Sequence, residues 1–78
     1  MYAVVERGTA VPPSRQIADV LRGRITSGEY GPGTALPSIL ALAQEFKVTT
    51  NTVRKALRIL KDEGLVESVP GYGTFVRK

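Results

Sequence analysis

Three times along this chain, apolar residues recur at the spacing of one helical face. The first stripe is Ile17, Val20, Leu21 and Ile25, the second Ile39, Leu42, Ala43 and Phe46, the third Val53, Ala56, Leu57 and Leu60. Positions i, i+3, i+4 and i+7, or i+8 as at Ile25, fall on one side of an α-helix, so each stripe predicts a helix with one face in a core. Ser14 is the N-cap expected for the first helix and Gly28 its stop; the second is expected to start at Ser38, after Pro37. Thr49 or Thr50 caps the third, which Gly64 ends. Residues 28–37, GEYGPGTALP, hold enough glycine and proline for a turn and at most a very short strand. After Gly64 the chain reads as a hairpin over residues 65–76, turning through Pro70-Gly71-Tyr72-Gly73. At the other end, Tyr2–Glu6 is short and β-branched, an edge strand or an ordered arm, and Gly8–Pro13 is a linker by composition.

The order of these elements narrows the fold. Only Lys47-Val48-Thr49 separates Phe46 from the next helical start, and two short helices joined by so tight a turn match a helix-turn-helix. Val48 is expected to plug that turn against both helices. Three helices and one hairpin can share a single core. The expected fold is therefore mainly α with a small β-hairpin: a winged helix-turn-helix over residues 13–78, preceded by an arm or edge strand over residues 1–12. Leu40 falls off the second stripe, and Leu40, Ile59 and the apolar residues of the arm are left over once the stripes are assigned.

Charge is distributed unevenly. The net charge is +4; residues 1–33 contribute +1 and residues 34–78 contribute +3. From Phe46 to Lys61 there is no acidic residue, while Lys47, Arg54, Lys55, Arg58 and Lys61 are basic. Asn51 and those cations of the third helix turn away from its apolar stripe. A buried stripe backed by an unopposed basic stripe suits a helix lying against a polyphosphate. Asp62 and Glu63, at its far end, are adjacent and cannot face each other, so they read as a solvated helix end.

Other chemistry is excluded quickly. The chain has no cysteine and no histidine, which removes disulfides, thiolate metal sites and the commonest general base. Its serines have no histidine to activate them, and no lysine follows a glycine-rich loop as a phosphate cradle would require. No enzyme activity, metal or cofactor is expected. No apolar run approaches the roughly 20 residues of a membrane-spanning helix, and the start has no basic segment of a signal peptide. A cytoplasmic protein with no membrane partner follows. The stripes consume the apolar residues, leaving too little wall for a pocket of about 300 Å³ or more, so no small-molecule effector is expected in this chain.

These features assign parts to a double-stranded DNA interface. The N–H groups of the first turn after Thr49 or Thr50 can meet a phosphate oxygen. Asn51 and Arg54 sit where a recognition helix, here residues 50–63, presents side chains to base edges in the major groove; Asn suits adenine and Arg suits guanine. Lys55, Arg58 and Lys61 lie further along, placed for phosphates. Gly71, Tyr72 and Gly73 form the tip of the wing, residues 70–74, expected at the minor groove. The alternative is a winged helix used as a protein-interaction or assembly module, its basic face against an acidic protein. RNA binding is disfavoured, because the aromatic residues are scattered rather than gathered into a stacking platform.

The chain resembles the DNA-binding domain of GntR-type bacterial transcription regulators. The match runs from Gln16-Ile17-Ala18-Asp19 through Leu21-Arg22, Ile25-Thr26-Ser27-Gly28-Glu29-Tyr30-Gly31-Pro32-Gly33, Leu36-Pro37-Ser38 and Leu42-Ala43. It continues with Val48, Thr52-Val53-Arg54, Ala56-Leu57, Leu60, Glu63-Gly64-Leu65-Val66 and Gly71-x-Gly73-Thr74-Phe75-Val76. The resemblance implies a winged helix bound to palindromic operators as a homodimer, usually repressing transcription. It carries DNA contacts to Ser38, Arg54 and the wing at Gly73, with Thr49 and Thr52 as phosphate or capping contacts. The sequence departs from the family pattern at Leu40 and Thr50, where arginine is common, and at Tyr72, where Arg or Lys is common. The family normally continues into a larger ligand-binding and dimerising domain, for which these residues leave no material.

Overall fold

A computed structural model describes residues 11–77. Helix α1 spans Pro13–Thr26, α2 Ile39–Phe46 and α3 Thr50–Asp62; strands β1 (Val66–Val69) and β2 (Gly73–Val76) follow as an antiparallel pair. The fold class and the order of elements are those read from the sequence. The arm at Tyr2–Glu6 lies outside the described residues.

Local chemistry explains each helix end. Ser14 does not cap α1: Pro12 is the N-cap residue, and its carbonyl accepts from the N–H groups of Arg15 and Gln16 at 3.0 and 3.1 Å. Pro13, at the first helical position, has its φ pre-set and no N–H to leave unpaired, so the turn closes without a side-chain cap. Ser38 is the N-cap of α2, its hydroxyl oxygen accepting from Ala41 N at 3.0 Å. Between α2 and α3 the chain turns at Lys47, the only described non-glycine residue with positive φ, +56°. This is a left-handed cap, from which Val48 N donates to Ala43 O at 3.0 Å. Of the two candidate caps of α3, Thr49 fills the position. Leu65 N donates back to Leu60 O at 3.1 Å across Gly64, closing the other end of α3.

The core collects Ile17, Ala18 and Leu21 from α1, Leu42, Ala43 and Phe46 from α2, Val53, Ala56, Leu57 and Leu60 from α3, and Val66 and Val76 from the hairpin. Leu36, from the loop before α2, joins them. Val20, Ile25 and Ile39, expected in the core, are half-buried at its rim, as is Val48 in the turn. Ile59 also packs on this rim and is not left over; Leu40, 61% exposed, is.

The very short extra strand reduces to one bridge, Ala35 to Phe75. Backbone bonds around it, Leu36 N to Thr74 O at 2.8 Å and Val76 N to Thr34 O at 2.9 Å, seat β2 between the loop and β1. At the hairpin tip Tyr72 N donates to Val69 O at 2.9 Å, with Pro70 and Gly71 (φ +82°) between them, the pairing a type II turn requires.

Candidate nucleic-acid interface

Ion pairs decide which cations face solvent unopposed. Arg22 of α1 reaches Glu63 twice, Nε to Oε1 at 2.8 Å and Nη2 to Oε2 at 2.6 Å, and also bonds Asp19 at 2.6 Å. Arg24 bonds both carboxylate oxygens of Glu45 and the Tyr30 hydroxyl, lies 3.7 Å from Glu29, and stands over the Phe46 ring, 5.7 Å from its centroid. Both guanidiniums are held above their ordinary pKa, Arg22 chiefly by its hydrogen bond to Glu63 and Arg24 by its bond to Glu45, the latter against the cost of partial burial. The Glu63 carboxyl is correspondingly lowered, mainly by Arg22. Glu63 is therefore not part of a merely solvated helix end.

Two arginines of α1 thus absorb Asp19, Glu29, Glu45 and Glu63. Among the described residues no carboxylate lies within ion-pair distance of Arg54, Lys55, Arg58 or Lys61, all exposed on α3. The apolar stripe of α3 is buried behind them, so this charge is presented outward rather than cancelled.

The cations fall into two lines. Arg54, Arg58 and Lys61 line a groove of about 400 Å³ between α3 and the hairpin, together with Asp62, Ser68 and Thr74; Ile39 and Leu57 form its apolar part. Lys55 is not among the lining residues. It follows Asn51 by one helical turn on the neighbouring line, and both are exposed.

The hydroxyls expected at the interface are partly engaged. Thr49 Oγ1 accepts from Thr52 N at 3.4 Å and lies 3.1 Å from Thr52 Oγ1, so one proton serves the pair and one remains to donate. Ser38 uses its oxygen as acceptor and keeps its proton. The Thr50 side chain is half-buried. Around the wing tip nothing lies within 4 Å of a Cβ built at Gly71 or Gly73, so positive φ (+82° and +113°), not crowding within the protein, calls for glycine there. Tyr72 is 77% exposed between them.

A second hollow, about 560 Å³, lies on the other face of the hairpin, against Glu67, Val69, Tyr72 and Phe75. Both hollows exceed the volume that the apolar residues were expected to leave. The reason is that the protruding hairpin makes open clefts lined mostly by exposed side chains, which need no core wall. No helix among the described residues is long and apolar enough to cross a membrane.

A helix-turn-helix with a β wing and an uncancelled basic face on its last helix defines a winged-helix domain of the nucleic-acid-binding type. The chain belongs to the GntR family of bacterial regulatory proteins, whose family model matches residues 13–76. It is 49% identical over 67 residues to the mannosyl-D-glycerate transport/metabolism system repressor MngR of Escherichia coli K12, covering 86% of this chain and 28% of that protein. It is 38% identical over 74 residues to the transcriptional repressor NagR of Bacillus subtilis 168, covering 95% of this chain and 30% of that protein. The chain therefore spans about a third or less of these curated relatives. Among solved structures, the AraR DNA-binding domain in complex with operator ORX1 superposes with a TM-score of 0.90 at 33% identity, covering 96% of this chain and 95% of that one. YtrA from Sulfolobus acidocaldarius, a GntR-family transcription factor, does so with a TM-score of 0.87 at 35% identity, covering 100% of this chain and 82% of that one. The family is one of transcription regulators, not an enzyme class.

Proposed function

We propose that this domain binds double-stranded operator DNA in a sequence-specific manner and serves a transcription regulator, acting as a repressor. The observation that carries this reading is the exposed line of Arg54, Arg58 and Lys61 on α3, none of them in an ion pair, while Glu63 and Glu45 are bound by Arg22 and Arg24 and Asp62 alone adds a carboxylate to the groove they line. Likeness to the operator-bound AraR domain supports it. In this reading α3 enters the major groove, where Asn51 and Arg54 reach base edges, and Lys55, Arg58 and the first-turn threonines Thr49, Thr50 and Thr52 meet phosphates. Ser38 donates to a phosphate from the start of α2. Gly71, Tyr72 and Gly73 border the minor groove. Two copies on a palindromic site would double the contact, and regulation by a small molecule would fall to a part of the protein other than this domain.

Selection of duplexes from a random pool with the purified protein, followed by salt titration of the winner, tests the proposal. An enriched half-site bound with steep salt dependence is the expected result. Enrichment no better than bulk DNA would refute sequence-specific binding and favour a winged helix that meets an acidic protein.

A further inference from the structure

The two strands of the hairpin do not present the same chemistry along their length. In the observed register Val66 pairs with Val76 and Ser68 with Thr74. Side chains two apart on a strand share a face, so Ser68 and Thr74 stand on the face that buries the two valines. That face changes from apolar to hydroxyl where the hairpin leaves the core, and there it forms one wall of the groove whose other wall is Arg54, Arg58 and Lys61. Glu67 alternates to the opposite face and lines the other hollow.

The two hydroxyls have no partner among the described residues. Most others are at least partly engaged: Thr26 bonds Arg22 O, Ser27 bonds Arg24 O, Thr34 bonds Gly31 O, and Ser38, Thr49 and Thr52 serve helix starts. Ser14 and Thr50 also lack a partner, but neither lines this groove. Neutral donors on one wall and cations on the other suit a phosphodiester, which presents acceptor oxygens and one negative charge per nucleotide.

We propose that the groove between α3 and the hairpin carries one sugar-phosphate strand of the bound duplex, and that Ser68 and Thr74 donate hydrogen bonds to its phosphate oxygens. This rests on the duplex-binding reading and adds to it two contacts and a path for one strand. Asp62 sits in the same groove next to Lys61, so phosphate charge is repelled from that end. The strand is thereby held toward Arg54 and Arg58, near the start of α3.

The test uses the selected duplex with Ser68→Ala, Thr74→Val and the double variant, each with a salt titration and a thermal melt. Thr74→Ser, which keeps the hydroxyl, is the control for packing. Each loss of a hydroxyl should weaken binding about three- to tenfold, equally on the selected and an unrelated duplex, with the salt slope unchanged because no charge is removed. Thr74→Ser should bind as the parent does. Replacing phosphates one at a time with methylphosphonate should reveal a position that weakens the parent but costs the double variant nothing further. Parent-like affinity for the variants would overturn the inference. So would a loss confined to one base position, or equal loss in Thr74→Ser. If Arg54→Ala still weakens binding when the hydroxyl variants do not, the groove path fails and the duplex reading stands. If the parent enriches no duplex, both fall.

Discussion

Arg22 and Glu63 stand 41 residues apart in sequence and meet through two hydrogen bonds of 2.8 and 2.6 Å, joining α1 to the residue that caps the end of α3. The pair orients the last turn of the basic helix and keeps one carboxylate bound to a guanidinium rather than to Lys61 or Arg58. Glu63 is exposed, so its contribution to stability is small.

Its pH dependence has a definite sign. The carboxyl is held below its ordinary value of 4.5 by Arg22, so the folded state binds its proton less readily than the unfolded chain. The pair's contribution is fully present above about pH 4.5 and is lost as pH falls through the lower, folded value. Glu63→Gln should lower the melting temperature slightly at pH 7, with the gap from the parent closing in strong acid. A gap that stays constant from pH 7 to pH 2 would show that ionisation of Glu63 does not stabilise the fold.

Arg54→Ala should weaken binding to the selected duplex by about 1–3 kcal/mol and relax preference at one base position. The side chain is exposed, so the melting temperature should hold. Equal affinity of variant and parent, measured by titration, would remove Arg54 from base recognition.

Lys55, Arg58 and Lys61 are expected to act as charges. Substituting Lys55 or Arg58 with Ala should weaken binding to all duplexes alike and flatten the plot of log affinity against log salt by about one counterion, and Lys61→Ala, beside Asp62, by less. A loss specific to one base pair would move that residue from the backbone to the bases.

Asp62→Asn should strengthen binding a few-fold on every duplex, because it removes the one carboxylate among the residues lining the groove. It should also raise the melting temperature slightly, since a carboxylate in the last turn opposes the helix dipole, typically by roughly 0.3–1 kcal/mol. Titration and calorimetry check the two effects separately. Unchanged affinity would place the DNA outside the groove.

Tyr72→Arg should raise affinity and steepen the salt dependence by at most about one counterion. Tyr72 is exposed at a tip where no protein atom crowds the flanking glycines, so a longer cation fits without repacking. If neither quantity changes, the tip is not at the DNA.

The three helical stripes were legible because periodic burial is a local signal, and the last one, Val53 to Leu60, is buried throughout. The first helix was less so: Val20 and Ile25 share the period but lie at the rim. Ala18, also in phase with Leu21 and Ile25, was left out of the stripe though it is a core residue, and Leu36 joins the core from a loop that has no period. Ser14 was a reasonable cap by residue type, yet Pro12 and Pro13 start the helix by backbone geometry. The pairing of Glu63 with Arg22 and of Glu45 with Arg24 depends on how helices pack, which no local pattern encodes. Sequence placed the basic residues on one helix but missed that Arg54, Arg58 and Lys61 share a groove with Ser68 and Thr74. Alternation along the hairpin, Val66 then Ser68 and Val76 then Thr74, is the signal that could have revealed it.

The clasp between the loop and β2 has a mechanical consequence. Leu36 N is bonded to Thr74 O, and two residues later Ser38 begins α2. The wing is thereby braced against the frame that carries the helix-turn-helix and does not hang from its own two strands alone. These backbone bonds tie the span between α3 and the wing to the helical frame, as the jaws of a caliper are tied to its beam. In the proposed binding mode, a duplex whose groove geometry does not match that span would have to deform to be gripped, and the flexibility of the DNA itself would then enter its selection.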